Sequence, residues 1–215
     1  MISSSSAVLP AKGELIAQKE KNRKIRAVLA GGLVLGVGAA VTLAAWNDSE
    51  FATGTFGAGH FNMQGSTNGT DFSDHAAGAP AQLGFSLSFD SLSPTDTVAA
   101  PFVLHLDQDT TNDAQVSVAS ATVSGTAADE LSYSIVQVAS MAACTPTATG
   151  TQIVPAGTTL DSVIGASTFT LAKSTAPGTD PGTDVFLCVQ VTASSTIAQD
   201  TAAVGTWEFL GTSTS

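Results

Sequence analysis

Gln82-Leu83-Gly84-Phe85-Ser86-Leu87-Ser88-Phe89 places a large apolar group at every second position and a small or polar one between. Side chains of an extended chain point alternately to opposite faces, so this spacing predicts a strand with Leu83, Phe85, Leu87 and Phe89 on its buried side. The same period returns at Phe102, Leu104 and Leu106, at Val116 and Val118, and at Leu131, Tyr133 and Ile135. It returns again at Val185, Leu187, Val189 and Val191, and in Val204 to Leu210, where Trp207 and Phe209 oppose Thr206 and Glu208. Turn formers separate these runs: Ser93-Pro94-Thr95-Asp96, Asp109 to Asp113, Pro155-Ala156-Gly157 and Pro177 to Gly182. The one short helix expected lies at Thr159 to Ile164, with Thr158 or Thr159 as its cap. About eight half-buried strands predict an all-β fold, an antiparallel two-sheet β-sandwich of jelly-roll type. An immunoglobulin-like sandwich is the alternative. It lacks its marker, because Trp46 and Trp207 both lie outside the interval from Cys144 to Cys188.

The N-terminus has a different composition. Asn22 to Arg26 is basic and is followed by Ala27 to Ala45, nineteen uncharged residues, most of them apolar or small. A basic stretch feeding an apolar one that ends in small residues is the pattern of an export signal, with cleavage expected between Ala44 and Ala45. The rival reading is a retained single-pass anchor, since nineteen residues at about 1.5 Å each come close to a bilayer's thickness. Four glycines in the stretch weaken such a helix. The expected organisation is a disordered lead over 1–21, a helical signal peptide over 22–44 and a β-sandwich domain over 45–215.

Six of the seven basic residues precede residue 27, and only Lys173 follows. Cleavage would leave that one cation against sixteen acids, a net charge of about −15. Such a body repels phosphate backbones and anionic lipids, which excludes nucleic acid as a partner and leaves membrane contact to the uncleaved form. Two cysteines in an exported chain are expected to pair with each other. Closing the 44-residue separation of Cys144 and Cys188 stabilises the fold by roughly 4 kcal/mol.

Catalytic patterns are sparse. There is no G-x-S-x-G elbow and no H-E-x-x-H, and the three histidines, His60, His75 and His105, have no partner ligand at helical spacing. His105, between Leu104 and Leu106, is expected to face solvent or a turn, and His75 a polar loop. Asp107, Asp109, Asn112 and Asp113 gather oxygen ligands suited to calcium, but Asn112 stands where an EF-hand loop needs glycine. A solvated turn is the other reading of that cluster. No cofactor is expected.

Leu43 to Gly59 (LAAWNDSEFATGTFGAG) resembles the cleavage region of the TasA and camelysin family of exported proteins, whose signal is removed by a SipW-type signal peptidase. Trp46, Asn47 and Asp48 match the family's aromatic-Asn-Asp triplet. Leu92-Ser93-Pro94-Thr95-Asp96 is similar to its leucine-x-proline-glycine-aspartate loop, with Thr95 in place of the glycine. The second half is similar, more loosely, to actinobacterial exported proteins carrying this signal class. The resemblance implies a secreted jelly-roll protein of the cell surface or biofilm matrix, in some members a fibre subunit whose freed N-terminal segment completes a neighbour's sheet. Here that segment would present Phe51, Phe56 and Phe61; the alternative is that these residues form the first strand of their own domain. Camelysin-type relatives imply a metallopeptidase, which the missing zinc motif argues against, so no enzymatic activity is expected. A monomeric exported domain that binds a surface polymer or a cation is the remaining alternative. Thr212 to Ser215 carry no sorting motif, so covalent wall anchoring is not expected.

Overall fold

The computed structural model describes residues 20–29, 50, 52–55, 58–86 and 92–214. The chain divides into two units, Met1–Phe56 and Gly57–Ser215. In the first, a helix over 20–29 is solvent-exposed along its whole length and carries Lys21, Arg23, Lys24 and Arg26. Among the described residues no helix is long and apolar enough to cross a membrane.

Among the described residues the second unit holds eight strands: β1 (Met63–Ser66), β2 (Thr97–Leu106), β3 (Ala114–Gly125), β4 (Leu131–Val138), β5 (Thr151–Thr159), β6 (Phe169–Leu171), β7 (Val185–Ala193) and β8 (Ala203–Ser213). They form a five-stranded sheet in the order β1-β2-β7-β4-β5 and a three-stranded sheet in the order β6-β3-β8. Every neighbouring pair is antiparallel. A ribbon folded once into a long hairpin and then rolled up pairs its second strand with its seventh, third with sixth, fourth with fifth and first with eighth. The pairs β2·β7, β3·β6 and β4·β5 follow that scheme. Among the described residues the fourth pair is not made: β1 runs beside β2 instead, and β8 pairs with β3 alone.

Alternation explains the core. Val98, Phe102, Leu104 and Leu106 of β2, Leu131, Tyr133 and Ile135 of β4, and the odd-numbered valines and leucine of β7 bury against Val116, Val118, Phe169 and Leu171 of the other sheet. Aromatic pairs bridge the layers, Phe102 to Phe209 at 5.6 Å and Tyr133 to Trp207 at 5.4 Å between ring centroids. Such pairs add about 0.5–1.5 kcal/mol beyond the area they bury. The five-stranded sheet is covered on its other face too, where Ala99, Val136, Val138 and Cys188 lie under Cys144, Ala148 and Phe186. The interior between two antiparallel sheets thus matches the sandwich that the alternating runs predict.

Three local expectations fail. Leu83 to Ser86 form no strand; Leu83 and Phe85 pack on the core, and the segment meets β2 only where the Ser86 N–H donates to the Ala99 carbonyl and its hydroxyl accepts from the Ala99 N–H. Leu87, Ser88 and Phe89 lie outside the described residues. Thr159 to Ile164 hold no helix: β5 runs through Thr159, and the residues after it turn, with Leu160 buried in the core. Pro155-Ala156-Gly157 is not a connection but the bulged middle of β5, where the register against β4 shifts and Gly157 takes φ +81°. An outer strand tolerates proline because its N–H has no partner to lose.

Candidate functional site

Gln64 and His105 are direct register partners on β1 and β2. Leu104 and Leu106 face the core, so His105 and Gln64 face outward on the same side of the sheet. His105 is nevertheless only 4% exposed, which corrects the expectation that it faces solvent. Phe72 lies flat on its ring at 3.7 Å between centroids and 13° between planes, and its Nδ1 hydrogen-bonds Asp184 Oδ1 at 2.9 Å. Asn68 fixes the loop that brings Phe72 there. Its Oδ1 accepts from Ser66, Thr70 and Asp71, its Nδ2 donates to Asp71, and Gly69 next to it takes φ +75°. His75 lies further along in the expected polar loop, with Nε2 at 3.3 Å from the Ser73 hydroxyl.

The turn after β2 forms the far wall. Asp107 Oδ1 accepts from the Thr110 hydroxyl at 2.7 Å and the Asp109 N–H at 3.2 Å, and Oδ2 pairs with His60 Nε2 at 3.0 Å. Burial alone would raise the Asp107 pKa, but the hydrogen bonds from Thr110 and His60, with the charge of His60, hold it below the usual carboxylate value. The same turn binds the chain ahead of β1. The Asp107 and Thr111 N–H groups donate to the carbonyls of Asn62 and His60, and the Asn62 N–H donates to the Thr110 hydroxyl.

Between these walls runs an open groove of about 500 Å³ with Gln64, Phe72, His105, Asp107 and Asp109 along it. His105 and Asp184 have the arrangement of two members of a hydrolytic triad. No hydroxyl or thiol hydrogen-bonds His105 among the described residues, so the nucleophile's place is not filled from them. Of the residues expected to suit calcium, Asp107 and Asp113 carry hydrogen bonds within the protein. Asp107 is committed as above, Asp113 Oδ1 accepts the Lys173 N–H, and among the described residues no three acidic, histidine or cysteine side chains cluster as metal ligands.

Cys144 and Cys188 are bonded to each other, as expected from their being the two cysteines of the chain. A disulfide fits a non-reducing compartment. Beside it lies an arrangement that alternation gives no sign of. Buried Gln190 donates from Nε2 to the carbonyls of Thr145, Pro146 and Ala148 and accepts the Ser134 hydroxyl, so the loop before β5 is held to the sheet by polar groups as well as sulfur.

The sheet edges form a second kind of site. β1 has four residues, β6 three, and β5 is broken by Pro155 and Gly157. Short strands, proline and bulges are the usual means of blunting an edge. β8 has eleven residues and none of these devices, and Val204 and Leu210 on it are 67% and 51% exposed. Phe61 is 39% exposed and lies with Met63 against Gly211 near the end of β8. Ala44, Ala45, Trp46, Asn47, Asp48, Phe51 and Phe56 lie outside the described residues.

Taken together, fold and linkage define an all-β sandwich protein with one disulfide. No family model matches the chain, and no curated protein matches it.

Proposed function

We propose that this protein is an exported structural component of the cell surface or extracellular matrix, without catalytic activity, whose copies join by adding a strand to the open edge of β8. The observation that carries this reading is the long unblunted edge of β8, at the one position where the rolled-hairpin scheme lacks its partner. A jelly roll would have its first strand there. β1 pairs with β2, so the position is left for a segment of another copy. His60 and Asn62 are bound to the turn after β2 of their own subunit and Phe61 lies against Gly211, which leaves the stretch from Ala45, with Phe51 and Phe56, as the exchanging segment. Added strands satisfy the edge N–H and C=O groups with main-chain hydrogen bonds and fill alternate pockets with side chains. A SipW-type signal peptidase would release that segment by cutting between Ala44 and Ala45, so export processing would control assembly. The disulfide and the resemblance at Trp46 to Asp48 support export.

The test is electron microscopy and sedimentation of the chain beginning at Ala45. Fibres or regular oligomers are expected. Val204→Lys with Leu210→Lys should abolish them on the edge side, and Phe51→Ser with Phe56→Ser on the donor side, each leaving a folded monomer. Monomers alone from the unsubstituted chain, at roughly millimolar concentration, would remove the proposal.

A further inference from the structure

We propose that the groove over β1 and β2 binds one neutral sugar unit of a polysaccharide. The argument starts from which polar groups are already committed. Asn68, Thr70, Asp107 and His105 Nδ1 all bond within the protein and build the walls. The side-chain ends of Gln64, Gln108 and Asp109, which also line the groove, make no hydrogen bond among the described residues. Two amides and a carboxylate supply donors and acceptors together, which suits hydroxyl groups, since each hydroxyl both donates and accepts.

Competing ligand classes fit less well. An anion would meet Asp107 and Asp109 on a body with one lysine, and a metal ion would find no three clustered ligands among the described residues. A purely apolar ligand would strand the amides and the carboxylate. A sugar ring has a polar rim and an apolar face. Phe72, half-buried with one ring face on His105, and Pro181 offer the groove an apolar surface for that face. The volume of about 500 Å³ is within the range of small-molecule sites.

His105 is a positioning residue here. It is buried, held by Asp184, and supports the Phe72 ring, so the platform is formed before any ligand arrives. With the Asn68 turn already ordered, little conformational freedom remains to be lost on binding.

The experiment is an NMR titration of the ¹⁵N-labelled chain beginning at Ala45 with methyl glucoside, methyl galactoside and N-acetylglucosamine in turn. At least one sugar should give saturable shifts at the amides of Gln64, Phe72, Gln108 and Asp109, with Kd on the order of 1 mM. Gln108 and Asp109 are exposed, so Gln108→Ala and Asp109→Ala keep the fold; each should weaken binding about tenfold, one factor of ten being about 1.4 kcal/mol. Phe72→Leu should weaken it further, with the backbone spectrum otherwise retained. No saturable shift with any of the three at about 50 mM overturns the proposal. So do shifts that survive Asp109→Ala unchanged, or shifts at these amides produced by calcium chloride and by none of the sugars.

Discussion

β5 and β8 are the long outer strands of the two sheets, and they end those sheets in opposite ways. β5 departs from regular pairing twice along β4, contains Pro155 without an N–H and Gly157 at φ +81°, and is flanked by a loop that a disulfide and Gln190 hold down. β8 pairs with β3 from Ala203 to Ser213. The one irregularity of that ladder, the extra residue Ala119, is on β3. A bulge bends the strand that carries it, so placing it on β3 leaves β8 regular on its outer side. The difference teaches that edge protection in this sandwich is selective. One outer strand is interrupted by several devices at once, and the other is regular and, among the described residues, unpaired on its outer side.

The largest expected effect tests the blunted side. Cys144→Ser with Cys188→Ser should lower unfolding free energy by roughly 4 kcal/mol in denaturant titrations, from the 44-residue loop it reopens. Hydrogen exchange should show the loss first in the β4·β5 ladder, with β3·β8 protected as before. Equal loss in both ladders would mean the two edges are not independently held.

Tyr133 probes the link between the edges. Its ring touches Trp207 of β8, and its hydroxyl donates to the Ser162 carbonyl, just beyond β5, at 2.6 Å. Tyr133→Phe leaves that half-buried carbonyl without its donor and should cost about 1–2 kcal/mol. Burial raises the Tyr133 pKa above its ordinary value, with the Trp207 side chain opposing the rise. A group whose folded pKa is raised contributes stability present below its unfolded pKa of about 10 and lost as pH rises through the folded value. The wild type should therefore show an alkaline loss of stability that Tyr133→Phe lacks, measurable by melting at stepped pH. An identical alkaline limb in the variant would assign it to other groups.

The sandwich was legible where alternation runs long. β2, β4, β7 and β8 carry their apolar residues at every second position, and each is a strand with those residues inward. β1 and β6, at four and three residues, are too short for a period to register. β5 was hidden because Pro155-Ala156-Gly157 has turn chemistry, and sequence does not tell an edge bulge from a connection. Leu83 to Ser86 teaches the converse: alternation marks a segment suited to pairing, but β1 already occupies the outer side of β2 from Val103 to Leu106, and of these four residues Ser86 alone hydrogen-bonds to the remainder. The disulfide was readable from the cysteine count together with the expectation of export. The groove was not, because it depends on the 79-residue contact of His105 with Asp184 and on Phe72 folding over a strand face that alternation assigns to water.

The smallest expected effect acts on neither edge and so serves as the control for the comparison. Pro94 and Thr95 are the central residues of a tight turn closed by the Asp96 N–H donating to the Ser93 carbonyl, and Thr95 takes φ +72°. That is the position at which a type II turn needs a left-handed residue, and a β-branched side chain there is strained by about 1–2 kcal/mol. Thr95→Gly relieves the strain but increases the freedom of the unfolded chain, so the net gain should be about 1 kcal/mol, seen as a rise of roughly 2–4 °C in Tm. If assembly is governed by the exposed edge of β8, the Thr95→Gly chain should assemble at the wild-type rate despite its higher stability. Slower assembly in step with the higher Tm would instead mean that copies join through partly unfolded molecules, and the contrast between β5 and β8 would then have no bearing on how they do so.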